Sequence, residues 1–127
     1  MLIEEYFQQL RKVIVGCSVV QSLTFTPEKR SSYQGFIRGE INFADGSILY
    51  WREFVNVQTS IDRRMYSYQY MDASKCLIFR YDNADHHKKL NLPNYPHHKH
   101  EGSEDNILPS NAPMLVDVLN EIEKLLG

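Results

Sequence analysis

All five histidines of this 127-residue chain fall between Asp85 and Glu101, as His86-His87 and His97-His98-Lys99-His100. Imidazole is the side chain whose ordinary pKa lets it both give and take protons near neutral pH. Gathered beside Lys88, Lys89 and Lys99, such rings make a local site for acid–base chemistry, anion binding or metal. Cleaving RNA without metal needs a base for the 2′-hydroxyl, an acid for the leaving oxygen, and cations for the developing charge. Histidine does the first two and Lys or Arg the third. On that reading His98 and His100 are base and acid, in an order left open, and Lys99 and Arg80 hold the scissile phosphate. His86 and His87 form a second pair at the start of the loop, and Glu53 orients a histidine or an arginine. Arg38, Tyr81, His97, Lys88 and Lys89 supply further substrate contacts, and no cofactor or metal is required.

Duller readings compete with this one. The stretch could be a solvated basic loop with no catalytic role, and Tyr95 between Pro93 and Pro96 could be a packing clamp. His98 and His100, two apart, could join His86 or His87 around zinc, although structural zinc sites commonly use four ligands including Cys. From a different class comes a non-catalytic protein whose loop binds and blocks a nucleic acid or an acidic protein. Turnover separates an enzyme from such a blocker.

The scaffold follows from periodicity. Ile3, Phe7, Leu10 and Ile14 recur at helical spacing, which predicts an amphipathic helix over 2–12. Val15, Val19, Val20, Leu23 and Phe25 predict a strand, and 26–32 a turn-rich loop. Residues 36–43 and 48–55 alternate around Ala44-Asp45-Gly46-Ser47, the pattern of a hairpin. With Asp45-Gly46 as a two-residue loop, Phe43 faces Ile48, and Arg38 pairs with Glu53 on the opposite face. That pair reads as a register-fixing ion pair or a site-shaping one, on a face the histidine loop could cover. A second hairpin joins 65–71 to 76–81, and Tyr66, Tyr68, Tyr70, Leu77, Phe79 and Tyr81 collect on one face as core. From Asn83 to about Ser110 no periodicity is visible, and connections that long are usually functional or disordered. Pro113 then precedes a closing helix with the stripe Leu115, Val118, Leu119, Ile122, Leu125 and Leu126. The expected architecture is one α+β domain over 1–127: a helix, an antiparallel meander of about five strands, a basic loop and a C-terminal helix.

Composition sets the bounds. Net charge is −2 with histidines neutral, so the whole molecule is no general polyanion binder. Residues 86–100 hold three lysines and no acid, whereas Glu101, Glu104, Asp105, Asp117, Glu121 and Glu123 follow, so a polyanion would be drawn to one patch. Cys17 and Cys76 sit in apolar, strand-like runs and read as buried free thiols. Met1 leads straight into the amphipathic pattern, without a secretory leader, and no apolar run approaches the ~20 residues of a membrane span. A cytoplasmic protein without membrane contact is expected.

Three segments carry a resemblance to a known family. They are Gly39-Glu40-Ile41-Asn42-Phe43-Ala44-Asp45-Gly46-Ser47 with Glu53-Phe54; Tyr66-Ser67-Tyr68-Gln69-Tyr70 with the run from Phe79 to His87; and Tyr95-Pro96-His97-His98-Lys99-His100 with Pro109-Ser110. Together they resemble the TumE-type toxins of prokaryotic type II toxin–antitoxin systems. The resemblance spans nearly the whole chain and implies a small cytoplasmic growth-inhibiting protein, neutralised by an antitoxin encoded beside it. Endoribonuclease activity is an extension of the loop chemistry and is not carried by the resemblance. An open meander also leaves a strand edge that could pair with a second copy, giving a homodimer, or with the antitoxin.

Overall fold

The computed structural model describes residues 1–85 and 90–127. Its elements run α1 (Ile3–Val15), β1 (Val20–Lys29), β2 (Gln34–Phe43), β3 (Ile48–Asn56), β4 (Asp62–Met71), β5 (Leu77–Asp82), β6 (His98–Glu101), β7 (Ile107–Pro109) and α2 (Leu115–Leu126). The strands form one antiparallel sheet in chain order, each pairing with the strand before it. The α+β arrangement expected from the sequence holds, with seven strands rather than about five. The extra strands, β6 and β7, lie in the segment expected to be an unstructured loop. They are four and three residues long, too short to carry a period of their own.

Strand alternation sorts the side chains onto two faces. One face carries Ile37, Ile41, Phe43, Leu49, Trp51, Val55, Tyr66, Tyr68, Tyr70 and Phe79 into the core. The helices cover it, α1 through Ile3, Tyr6, Phe7, Leu10 and Ile14, and α2 through Leu115, Val118, Leu119 and Ile122. Each large apolar side chain buried this way contributes about 1.5–3 kcal/mol. Close approach of α1 to β2 requires Gly35, where an added Cβ would stand 2.7 Å from the Phe7 ring and 2.9 Å from Ile3. α1 extends three residues beyond its expected end at 12, reaching Val15 before Gly16. The Asp117 carboxylate accepts the backbone N–H of Met114 at 2.9 Å at the start of α2. No helix among the described residues is long and apolar enough to cross a membrane.

The β2–β3 hairpin corrects the expected register. Phe43 N–H donates to the Ser47 carbonyl (3.0 Å) and Gly46 N–H to the Phe43 carbonyl (3.0 Å), with Gly46 at φ 86°. The loop is therefore Ala44-Asp45-Gly46, a tight turn closed by a left-handed glycine, not a two-residue Asp-Gly turn. One residue of slip follows along the ladder: Arg38 faces Arg52, and Glu53 faces Ile37. Arg38 and Glu53 thus lie on opposite faces and form no pair. The cysteines also differ from expectation: Cys17 is buried just after α1, Cys76 is exposed in the β4–β5 turn, and both are free thiols outside the strands.

Candidate active site on the open face of the sheet

The face away from the helices is crossed by two rows of side chains, one residue from each strand. The first runs Thr26, Arg38, Arg52, Ser67, Asp82, His98 and Pro109. The second runs Thr24, Glu40, Tyr50, Gln69, Arg80, His100 and Ile107. Antiparallel pairing of Arg80-Tyr81-Asp82 with His98-Lys99-His100 puts the outer residues of each triplet on this face and the middle ones on the other.

His98, His100 and Asp82 are 1 %, 2 % and 6 % exposed and form one cluster. His98 Nε2 lies 3.1 Å from His100 Nε2 and 3.0 Å from Asp82 Oδ1, while His100 Nε2 is 3.8 Å from Asp82 Oδ2. The far nitrogens are tied to backbone: His98 Nδ1 is 2.8 Å from the Pro96 carbonyl and His100 Nδ1 is 2.8 Å from the Glu104 carbonyl. A carbonyl oxygen can only accept, so both Nδ1 atoms carry hydrogen, and in its neutral form each ring turns its basic Nε2 toward the other and toward Asp82. Arg52, Arg64, Ser67 and Gln69 line the same cleft. Arg80 is largely committed within it. It makes a bidentate pair with Glu104 (2.7 and 2.7 Å), bonds Asp82 at 3.0 Å, and reaches Gln69 at 3.2 Å. The Glu104 hydrogen bonds, then Asp82, outweigh burial and hold its guanidinium firmly charged.

Farther along the first row, Arg38 and Arg52 stand directly opposite each other, and among the described residues neither has a carboxylate partner. Like charges directly opposite on neighbouring strands destabilise a sheet. Such a pair makes sense where an anion is to be bound.

Other residues expected at the site lie elsewhere. Lys99 projects to the helix side, with Nζ 5.1 Å from the Tyr81 ring centre, 3.1 Å from Glu101 and 3.5 Å from Glu121. Tyr81 donates its hydroxyl to Glu121 at 2.7 Å, and burial followed by that carboxylate pushes its phenol up to about 12. Lys99, expected to hold the phosphate beside the histidines, and Tyr81, expected as a further substrate contact, lie on the opposite face of the sheet from His98 and His100, because strand alternation parts them. His97 stacks on Tyr66, with ring centres 5.7 Å apart, and its Nδ1 is 2.7 Å from the Tyr66 hydroxyl. Burial, then Arg63 and His98, lower its pKa.

Glu53 is wholly enclosed beneath the sheet, where it accepts the Tyr6 hydroxyl and the Tyr68 hydroxyl, the latter at 2.5 Å. Arg63 bonds the Tyr68 oxygen (3.1 Å) and the carbonyls of Pro113 and Ala112 (2.7 and 2.7 Å), so this network ties β3 and β4 to α1 and to the approach of α2. Among the described residues, Glu53 is bonded to no histidine. His86, His87, Lys88 and Lys89 lie outside the described residues.

Sequence reasoning gave no site role to Asp82, next to the end of the second hairpin, or to Arg52, part of the first. The signal was present for Asp82: Arg-x-Asp on one strand and His-x-His on another each place two polar groups on a single face.

Among the described residues the chain is a two-helix, seven-stranded α+β protein with a histidine–aspartate cluster and two facing arginines on the uncovered face of its sheet. More particularly, the chain belongs to the TumE toxin family, whose model, described as "Toxin TumE", matches residues 7–126. It is a toxin, and membership implies an antitoxin partner. Comparison with curated proteins and with solved structures gave no match.

Proposed function

We propose that this toxin is an endoribonuclease of the cytoplasm, which cleaves RNA on the open face of its sheet without metal. The observation that supports this best is the row that sets Arg38 and Arg52 in line with Asp82 and His98, beside His100. RNA would lie across the strands, its phosphates against Arg38, Arg52 and Arg64 in place of the lysine expected from sequence. Arg80, held by Glu104 and Asp82, positions the cluster and takes a share of the transition-state charge.

In the reaction one histidine Nε2 removes the proton of a 2′-hydroxyl, and the 2′-oxygen attacks the adjacent phosphorus. The bond to the 5′-oxygen of the next nucleotide breaks, and the other Nε2 gives that oxygen its proton. The products are a 2′,3′-cyclic phosphate and a 5′-hydroxyl, with no net gain or loss of protons. The two Nε2 atoms touch at 3.1 Å, so in this mechanism they part for each to meet one of the two oxygens, which stand on opposite sides of phosphorus. Asp82 steadies the proton as it passes between them.

The test is incubation of the purified protein with excess labelled RNA in the presence of chelator. Multiple turnovers yielding 2′,3′-cyclic phosphate ends are expected. Saturation at one equivalent without cleavage would instead favour a stoichiometric blocker, and unchanged cleavage after replacing both His98 and His100 would remove the assigned roles.

A further inference from the structure

We propose that Asp82, His98 and His100 also form a binding site for one divalent transition-metal ion of the zinc class. Their donor atoms lie within 4.8 Å of one another. A tetrahedral ion with bonds of 2.0–2.1 Å sets its ligands about 3.3 Å apart. The separations here, 3.0, 3.1 and 3.8 Å, bracket that value. The 3.0 Å separation runs to Asp82 Oδ1 and the 3.8 Å separation to Oδ2, so either carboxylate oxygen stands near a histidine nitrogen.

The surroundings fit as well. Metal-bound histidines characteristically donate their second ring N–H to a carbonyl or carboxylate, which fixes the ring and its tautomer. Both histidines do so here, to Pro96 and Glu104, before any ion is considered. The ligands sit on the paired strands β5 and β6, so their spacing is set by ladder hydrogen bonds and not by loop conformation. Two imidazoles and one carboxylate suit zinc, cobalt or nickel, whereas magnesium and calcium prefer oxygen alone.

Occupancy has a consequence that rests on the nuclease reading above. An ion held by both Nε2 lone pairs removes them from proton transfer, so metal inhibits cleavage and chelator restores it. The site would make the toxin responsive to free transition metal.

Binding itself is tested on the full chain by titration with Co²⁺, reading the visible absorption of a tetrahedral ion, then by displacement with Zn²⁺ and by elemental analysis after dialysis. One ion per chain is expected. Asp82→Asn, His98→Asn and His100→Asn should each weaken binding by more than the 10–100-fold that loss of an outer partner costs. Arg52→Ala should still bind one ion. Circular dichroism separates a lost site from a lost fold. If wild type gives no tetrahedral spectrum, or the three variants bind as it does, the metal site is overturned while the nuclease reading stands. Metal that binds and accelerates cleavage upholds the site but overturns inhibition and the metal-independent mechanism together. Metal that binds to a protein cleaving nothing under any condition upholds the site and removes the nuclease reading.

Discussion

Glu53 and Asp82 are both acids on the same sheet, both almost lost to solvent, and they sit in opposite kinds of surroundings. Glu53 faces the helices, where phenols and the Arg63 guanidinium close round it and its own hydrogen bonds join β3 to α1 and to β4. Asp82 faces outward, in a cleft shared with two imidazoles and bordered by arginines. A sealed network of charged and polar groups fixes how elements dock, whereas the same groups at the floor of a cleft can meet a ligand. Burial of an ionisable side chain therefore does not mark function by itself. What matters is whether a ligand can reach the groups around it.

The sharpest way to break this contrast is to remove the two Nε2 atoms and keep the rest. Asparagine places an amide N–H near the position of imidazole Nδ1, so His98→Asn and His100→Asn retain the bonds to Pro96 and Glu104. Each should lower RNA cleavage by roughly 10²–10⁴-fold, the usual contribution of acid–base catalysis. Thermal unfolding should move little.

The sealed side should behave in reverse. Glu53→Ala strands the Tyr6 and Tyr68 hydroxyls and leaves a void, at a cost of about 3–5 kcal/mol in urea unfolding. Cleavage per folded molecule should be unchanged. Burial raises the Glu53 pKa above its ordinary 4.5, so the folded state binds that proton more tightly than the unfolded chain. The associated stability is complete below the unfolded value and is lost as pH rises through the folded one. The stability of Glu53→Gln relative to wild type should consequently improve as pH is raised from about 4.

Arg52→Ala sharpens the picture of the open face. RNA binding should weaken, and the salt dependence of affinity should flatten by about one unit of slope. Stability should hold or rise slightly, because Arg38 loses a like charge across the ladder. The smallest effect belongs to Lys99→Ala. Removing contacts to Glu101 and Glu121 should cost under about 1 kcal/mol, and cleavage should stay within about twofold of wild type.

Much of the scaffold was legible because its signals are local. Helical spacing marked α1 and α2, and alternation marked the hairpins and the tyrosine face that became core. The Asp-Gly turn was visible, but two-residue and three-residue loops share that signal, and the choice between them decided whether Glu53 met Arg38 or went beneath the sheet. β6 and β7 were illegible because so few residues leave no period to detect. β6 pairs with β5, a partner more than fifteen positions away in the chain, and β7 pairs only with β6.

The sequence by itself determined which chemical groups are present, where the chain turns, and that imidazoles cluster between Asp85 and Glu101. Only the tertiary structure decided which of them meet. A strand sends neighbours to opposite faces and brings together residues remote in the chain, so adjacency in sequence parted Lys99 from His98, while pairing of β5 with β6 joined Asp82 to both histidines.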